Sequence, residues 1–284
     1  MPSLIDIRRR IRSVKNTQQI TKAMKMVSAA KLRRAQDRVI SARPYNAMLR
    51  RMLSNLAAAV HGLESVAGNP LLAHREARNI QLVLITSDRG LAGSFNSNLI
   101  KAAQRFIEDH PGANVSIEAV GRKGRDFFRK RASVSGELTG LKTPQFSDAS
   151  DLAGKLVERY EKEEIDAVYL IYNEFKSVIA QKLTISQVLP VELPSGEAPA
   201  DYIFEEPPEV LLSMLLPQFI EGEMFRAMLE STAAEHAARM TAMDAATSNA
   251  SEVIDKLTLY MNRVRQASIT KEIIEIVSGA AALD

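Results

Sequence analysis

Two long sections of the chain carry the same hydrophobic rhythm. From residue 3 to about 57, Ile7, Ile11 and Val14, then Thr21, Met24 and Val27, then Ala35, Val39 and Ala42 recur at steps of three and four. That is the signature of one face of an amphipathic helix. The section has no glycine and a single proline, Pro44. Ser3 stands where an N-cap belongs, and Gly62, Gly68 and Pro70 end the pattern. From about 208 to 283 the rhythm returns, with Ile254, Leu257, Met261 and Val264 and then Ile274 and Val277. Pro217 is expected to kink this second helix or to mark its true start. At 1.5 Å per residue the two helices would reach roughly 80 and 110 Å, longer than a small domain is wide.

Between them, residues 76 to 200 alternate short apolar runs with helical patterns. IQLVLIT (80–86), VSIEAVG (115–121), SVSGELT (133–139), IDAVYLIYNEF (165–175) and KLTISQVLP (182–190) read as strands. SFNSNLIKAAQRFIED, RKGRDFFRKR and DASDLAGKLVERYEKEE read as the helices between them. Strand–helix alternation predicts a mostly parallel sheet flanked by helices. No helix precedes the run at 182, so that strand is expected to pair antiparallel with the one before it.

A helix in water gains most of its stability by packing its apolar face. Two helices too long for the sheet domain are therefore expected to pack on each other. The predicted fold class is a mixed α/β and α+β architecture. A long antiparallel two-helix coiled coil is formed by residues 1–60 and 208–284, with a central α/β domain inserted at 76–200. The C-terminal helix should outrun its partner by roughly 30 Å. Its end, ITKEIIEIVSGAAALD, is apolar enough to require a socket.

Charge sharpens this picture. Residues 1–50 carry thirteen Lys or Arg against Asp6 and Asp37, whereas 209–284 carry six basic and eleven acidic residues. The arms are thus biased to attract each other. The basic runs RRRIRS and KLRRAQDR suit phosphates, but their arginines interleave with an apolar stripe, which favours a charged coiled-coil flank over a nucleic-acid clamp. The absence of cysteine excludes disulfides and thiolate chemistry and points to a reducing compartment. No apolar run is long enough to span a bilayer, and the first residues do not read as a signal peptide.

Candidate chemistry is sparse. ITSDRGLAGSFN (85–96) follows a strand and opens a helix, the place where phosphate is cradled, yet only Gly90 and Gly93 are present. Neither a dinucleotide fingerprint nor a P-loop results. Asp88 and Arg89 are expected to pair or to cap the next helix, making this a structural or docking turn. GRKGRDFF (121–128) reads the same way. His61, His74, His110 and His236 are scattered and lack metal-ligand spacing. Catalytic, cofactor-binding and metal residues are accordingly assigned to none. A nucleotide-binding α/β enzyme with helical oligomerisation arms is the alternative.

ITKAMKMVSAAKLRRAQ (20–36), TSDRGLAGSFN (86–96), AARMTAMDAATSNA (237–250) and YMNRVRQASITKEIIEIVSGAAAL (260–283) closely resemble the gamma subunit of bacterial F-type ATP synthase, in the same order. The resemblance implies a non-catalytic central rotor shaft without cofactors, coupling rotation of a membrane c ring to ATP synthesis or hydrolysis at beta-subunit sites. Implied partners are the alpha and beta subunits of the catalytic hexamer, the epsilon subunit and the c-subunit ring, with no nucleic acid. Membrane association would be indirect, at the cytoplasmic face of the inner membrane. By motif, Met24 and Lys25 resemble positions facing an acidic beta-subunit loop; some members carry an acid where Lys25 stands. Arg265, Gln266, Thr270 and Glu272 resemble catch contacts to a beta loop. Tyr202, Phe204 and Glu205 resemble the foot that meets the c ring. The family's cysteine-bearing plastid insert is missing, and Ala92, Gly93 and Ser94 replace the Cys-Gly-Gly of many relatives.

Overall fold

A computed structural model of the chain describes residues 3–60, 69–178, 180–193 and 204–281. The elements run α1 (Leu4–Ala59), a 3-10 turn (Pro70–Leu72), β1 (Asn79–Ile85), α2 (Phe95–Asp109), β2 (Asn114–Val120), α3 (Arg122–Phe128), β3 (Ser133–Leu138), α4 (Phe146–Glu161), β4 (Ala167–Phe175), β5 (Gln181–Leu189) and α5 (Pro208–Ala281). The chain divides into two compact units. One joins the residues up to Ser28 with those from Met240 onward, and the other is Ala29–Arg239.

In the first unit the start of α1 pairs with the end of α5. Ser3 caps α1 in a capping box: its Oγ accepts from the Asp6 amide at 3.2 Å, and the Asp6 carboxylate accepts from the Ser3 amide at 3.3 Å. The covered side of α1 runs Ile7, Ile11, Val14, Gln18, Thr21, Lys25 and Ser28, a strict alternation of four and three. Its counterpart on α5 runs Met243, Thr247, Ala250, Ile254, Leu257, Met261, Val264 and Ser268. Thr21 and Thr247 share a hydroxyl–hydroxyl hydrogen bond of 2.8 Å, and Lys25 pairs with Asp244 at 2.5 Å. Numbers rise on one helix as they fall on the other, so the pair is antiparallel, as expected. Val27, expected on the buried face, is 55% exposed, and Ser28 takes the seam position. The strict 3.5-residue repeat overrides apolarity there, because a residue one step off the seam points outward. Past Ser268 every described side chain of α5 is exposed, including Ile269, Ile273, Ile274, Ile276 and Val277. Residues 269–281 extend the helix by about 20 Å, less than the expected overrun.

In the second unit the same repeat continues through Leu32, Ala35, Val39, Ala42, Asn46, Leu49, Leu53, Leu56 and Val60. Here α5 approaches closely at Gly222, where a Cβ would lie 3.2 Å from the Asn46 side chain. Pro217 lies inside α5, which already begins at Pro208, so it does not mark the helix start. Glu223, buried beside α1, accepts from Arg50 at 2.9 Å and Arg226 at 2.6 Å. Burial alone would raise the Glu223 carboxyl, but Arg226 and Arg50 outweigh it and hold it below the usual range.

The sheet has the order β3-β2-β1-β4-β5. β1 pairs in parallel with β2 and β4, β2 with β3, and β5 antiparallel with β4, as the missing helix before β5 anticipates. β1 is buried at every position after Asn79, as a strand covered on both faces must be. One face packs Val83, Ile85, Val168 and Leu170 against α4, α1 and α5 in a single apolar cluster. Leu82, Leu84, Ile117 and Ile171 alternate to the other face and are equally buried. With both faces covered, the exits of the strands at their carboxyl ends remain the region open to building a site.

The corrected seam is testable. Leu32→Ala, at a position 4% exposed, should lower unfolding free energy by about 2–5 kcal/mol. Val27→Ala should change it by less than about 0.5 kcal/mol. Urea denaturation of both variants measures the difference, and equal losses would return Val27 to the buried face.

Candidate functional site: the strand-end clasp and the helix contact positions

The turn after β1 is held from three sides. Thr86 is buried; its Oγ1 donates to the Val120 carbonyl at 3.2 Å and accepts from the Gly124 amide at 2.9 Å. The Asp88 carboxylate accepts from the Arg122 amide and from the Gly140 amide, each at 2.9 Å. It therefore ties the chain after β1 to the segments after β2 and β3, and it does not pair with Arg89 or cap α2 as expected. Ser87 and Asn96 bond reciprocally, fixing the entry to α2. The positive-φ residues are Leu91 (63°) and Gly93 (56°), not Gly90. Gly121, at φ 96°, is obligatory, because a Cβ there would sit 2.2 Å from the Thr86 carbonyl oxygen.

From α5, Arg239 closes the clasp. It donates to the Arg89 carbonyl at 3.0 Å and the Gly90 carbonyl at 3.3 Å, and pairs with Glu235 at 2.6 Å. The amide at the start of α3, where a strand–turn–helix motif would hold phosphate, thus already faces the chain's own carboxylate. ITSDRGLAGSFN is a docking turn that anchors α5. His236, one helical turn from Arg239, is one of the histidines that lie scattered in the sequence, but it is not isolated in the fold. Burial, then Arg239 and Lys31, push its ring down to about 4. A sequence signal for this is lacking, because Lys31 lies two hundred residues away and meets His236 only in the fold.

The positions implied by resemblance are separated in the chain. Met24 is half-buried beside the helix seam, and Lys25 directs its charge to Asp244 with both side chains about half exposed. Such a pair is worth at most about 1 kcal/mol and leaves Lys25 available to a stronger acid. Arg265, Gln266, Thr270 and Glu272 are all exposed on α5. Arg265 and Glu272, seven apart, share one side; Gln266 and Thr270, four apart, share the next. Arg265 and Glu272 make no ion pair within the described residues. Phe204 packs on the apolar cluster and Glu205 is exposed, while Tyr202 lies outside the described residues. Among the described residues no group of three or more His, Cys, Asp or Glu could hold a metal, and no helix is long and apolar enough to cross a membrane.

Two outcomes follow from the clasp. Asp88→Ala removes two hydrogen bonds to solvent-accessible amides and should cost about 1 kcal/mol of stability, read by denaturant unfolding. His236 titrates near 4 when folded against 6.5 when free, so between these values the unfolded chain binds the extra proton. Its contribution to stability is complete above 6.5 and is lost as pH falls toward 4. The wild-type denaturation midpoint should fall across that window more steeply than that of His236→Gln; parallel curves would contradict this.

A sequence model of the family described as ATP synthase matches residues 3–283. The ATP synthase gamma chain of Solibacter usitatus (strain Ellin6076) is 68% identical over 286 residues, covering all of both chains. That of Pelotomaculum thermopropionicum is 50% identical over 289 residues, again covering both chains fully. In solved structures, the central stalk and c ring of Tetrahymena thermophila mitochondrial ATP synthase contains a chain 25% identical, with TM-score 0.63, spanning 80% of this chain and 99% of that one. A chain of the Euglena gracilis mitochondrial enzyme, 19% identical with TM-score 0.67 over 99% of this chain and 94% of that one, shares the fold. A helical pair flanking a parallel sheet, a strand-end turn used to anchor a helix, and full-length identity of this order lead to one conclusion: the chain belongs to the ATP synthase gamma-chain family.

Proposed function

We propose that the chain is the rotor shaft of a proton-translocating F-type ATP synthase, carrying rotation between a membrane ring of c subunits and the catalytic sites on beta subunits. The observation that carries this reading is the end of α5. There a helix continues past its partner with Ile269, Ile273, Ile274, Ile276 and Val277 exposed. Apolar side chains in that number are stable only inside a low-polarity sleeve. A hexamer of alpha and beta subunits supplies one. Similar solved chains come from a central stalk with its c ring and from an assembly of OSCP, F1 and c ring, which supports placing this chain in the same kind of assembly. It would then associate with the membrane peripherally, through the c ring.

The shaft works without chemistry of its own. Three beta sites of identical sequence meet different faces of one asymmetric helix pair. Each site's conformational equilibrium shifts only by the difference in contact energy between its open and closed forms. Turning the shaft changes those contacts in sequence, and because coupling between binding free energies is reciprocal, nucleotide binding and hydrolysis can drive the turn in the opposite sense. Arg265, Gln266, Thr270 and Glu272 are the side chains assigned to grip a beta loop, with Met24 and Lys25 facing its acidic loop. Tyr202, Phe204 and Glu205 are assigned to the c-ring contact, and epsilon completes the rotor. The enzyme alternative is disfavoured by the clasp: at the turn after β2 Asp88 takes the Arg122 amide at the start of α3, and the turn after β1 is engaged by Arg239 through the Arg89 and Gly90 carbonyls.

Arg265→Ala combined with Gln266→Ala should slow ATP hydrolysis by the assembled complex several-fold and reduce proton pumping with it. The isolated subunit should keep its circular dichroism and unfolding midpoint, because both side chains are exposed. Unchanged hydrolysis and pumping would remove these two residues from the coupling contact.

A further inference from the structure

Outside the carboxyl ends of β1, β2 and β3 lies a groove of about 620 Å³, walled by the Asp88 clasp, the segment from Leu138 to Pro144, and α5 from Met228 to Arg239. Strand carboxyl ends are where α/β sheets receive ligands. The groove opens into a cleft of about 220 Å³ against α1. Four cations line that cleft, Lys31, Arg34, Arg38 and Lys142, and no acid does. Arg38 donates to the Pro144 carbonyl at 3.4 Å, which holds α1 against the segment after β3. None of the four has an ion-pair partner within the described residues. Of the acids of the adjoining groove, Asp88 accepts from two amides, and Glu235 pairs with Arg239 while also lying within the field of Lys31.

Positive charge from two separate elements, α1 and the segment after β3, converging on a concave surface, creates a potential that concentrates anions. We infer that the cleft between α1 and the segment after β3 binds a short polyphosphate chain, held by Lys31, Arg34, Arg38 and Lys142, with no recognition of a base. A triphosphate carries enough charge to engage all four cations, and the small volume admits the phosphate chain without a nucleoside. Inorganic polyphosphate and the phosphate arm of a nucleotide share this chemistry. Asp88 keeps the ligand away from the strand-end amides, so the site differs from a nucleotide cradle.

His236 lines both cavities and serves as an internal reporter. It faces Lys31, Arg34 and Arg38 from α1, Lys142 from the segment after β3, and Glu235 and Arg239 on its own helix. A bound anion offsets the positive field and moves its titration midpoint upward from about 4.

The test uses the full-length chain, titrated calorimetrically at low ionic strength with sodium tripolyphosphate, ATP and adenosine, while the His236 ring resonance is followed by NMR and assigned with His236→Gln. Tripolyphosphate and ATP are expected to bind with similar affinity, adenosine not at all, and the His236 midpoint should rise with either anion. Lys31→Gln with Lys142→Gln, both exposed and so neutral to folding, should weaken binding about tenfold. Changing Arg8, Arg9 and Arg10 to Gln together should leave it intact. No saturable binding, binding lost only in the arginine variant, or an unmoved His236 resonance would overturn the site. ATP much tighter than tripolyphosphate would overturn the absence of base recognition. A hexaglutamate peptide that binds more tightly than tripolyphosphate, and is weakened by the same lysine variant, would overturn phosphate in favour of an acidic protein segment.

Discussion

The unbroken alternation of four and three along α1 is the constraint on which the other features rest. From Ile7 to Val60 the seam never skips a beat, although its occupants change from isoleucine and valine through glutamine, threonine, lysine and serine to leucine. A left-handed coiled pair is the geometry that keeps such a repeat facing a partner. Burial therefore follows phase rather than hydrophobicity, which is why Ser28 is covered and Val27 is not.

Within Ala29–Arg239 the same two helices act as one layer of an α/β core. Leu53, Leu56 and Val60 of α1 and Leu212, Leu216, Ile220 and Met224 of α5 enter the apolar cluster beneath the sheet. The strand-end clasp adds directional bonds to this non-directional packing. Thr86, Asp88 and Gly121 join the loops after β1, β2 and β3, and Arg239 binds the resulting carbonyls. The polar groups that in other α/β proteins greet a ligand here satisfy one another and a helix.

Periodicity carried most of the fold. The parallel strands, the antiparallel β5 and the pairing of the long helices were all legible because burial on two faces, a missing crossover helix and helix length each leave a mark in local sequence. What stayed hidden depended on residues far apart in the chain. Asp88 looked like a partner for Arg89, since nothing local indicates amides at 122 and 140. His236 looked incidental because its cationic neighbour Lys31 belongs to the other end of the sequence. Positive φ at Leu91 in place of Gly90 is likewise set by the clasp, which fixes where the chain must turn irrespective of which residue turns most easily. The contacts proposed for positions 265–272 rest on family likeness, and their local sequence alone reads as an ordinary solvated helix face.

The hydroxyl pair of Thr21 and Thr247 sits in the polar stretch of the seam, between Gln18 and Lys25 on α1 and between Met243 and Ala250 on α5. Sliding one helix by a heptad would break the bond between them, while each hydroxyl kept its bond to a carbonyl of its own helix, Gln18 at 3.0 Å and Met243 at 2.7 Å; the loss is that of one hydrogen bond, about 1 kcal/mol. The pair thus works as a key in a keyway. Load applied along the two helices meets a discrete step there, because axial slip must first break a directional bond that packing alone would not supply.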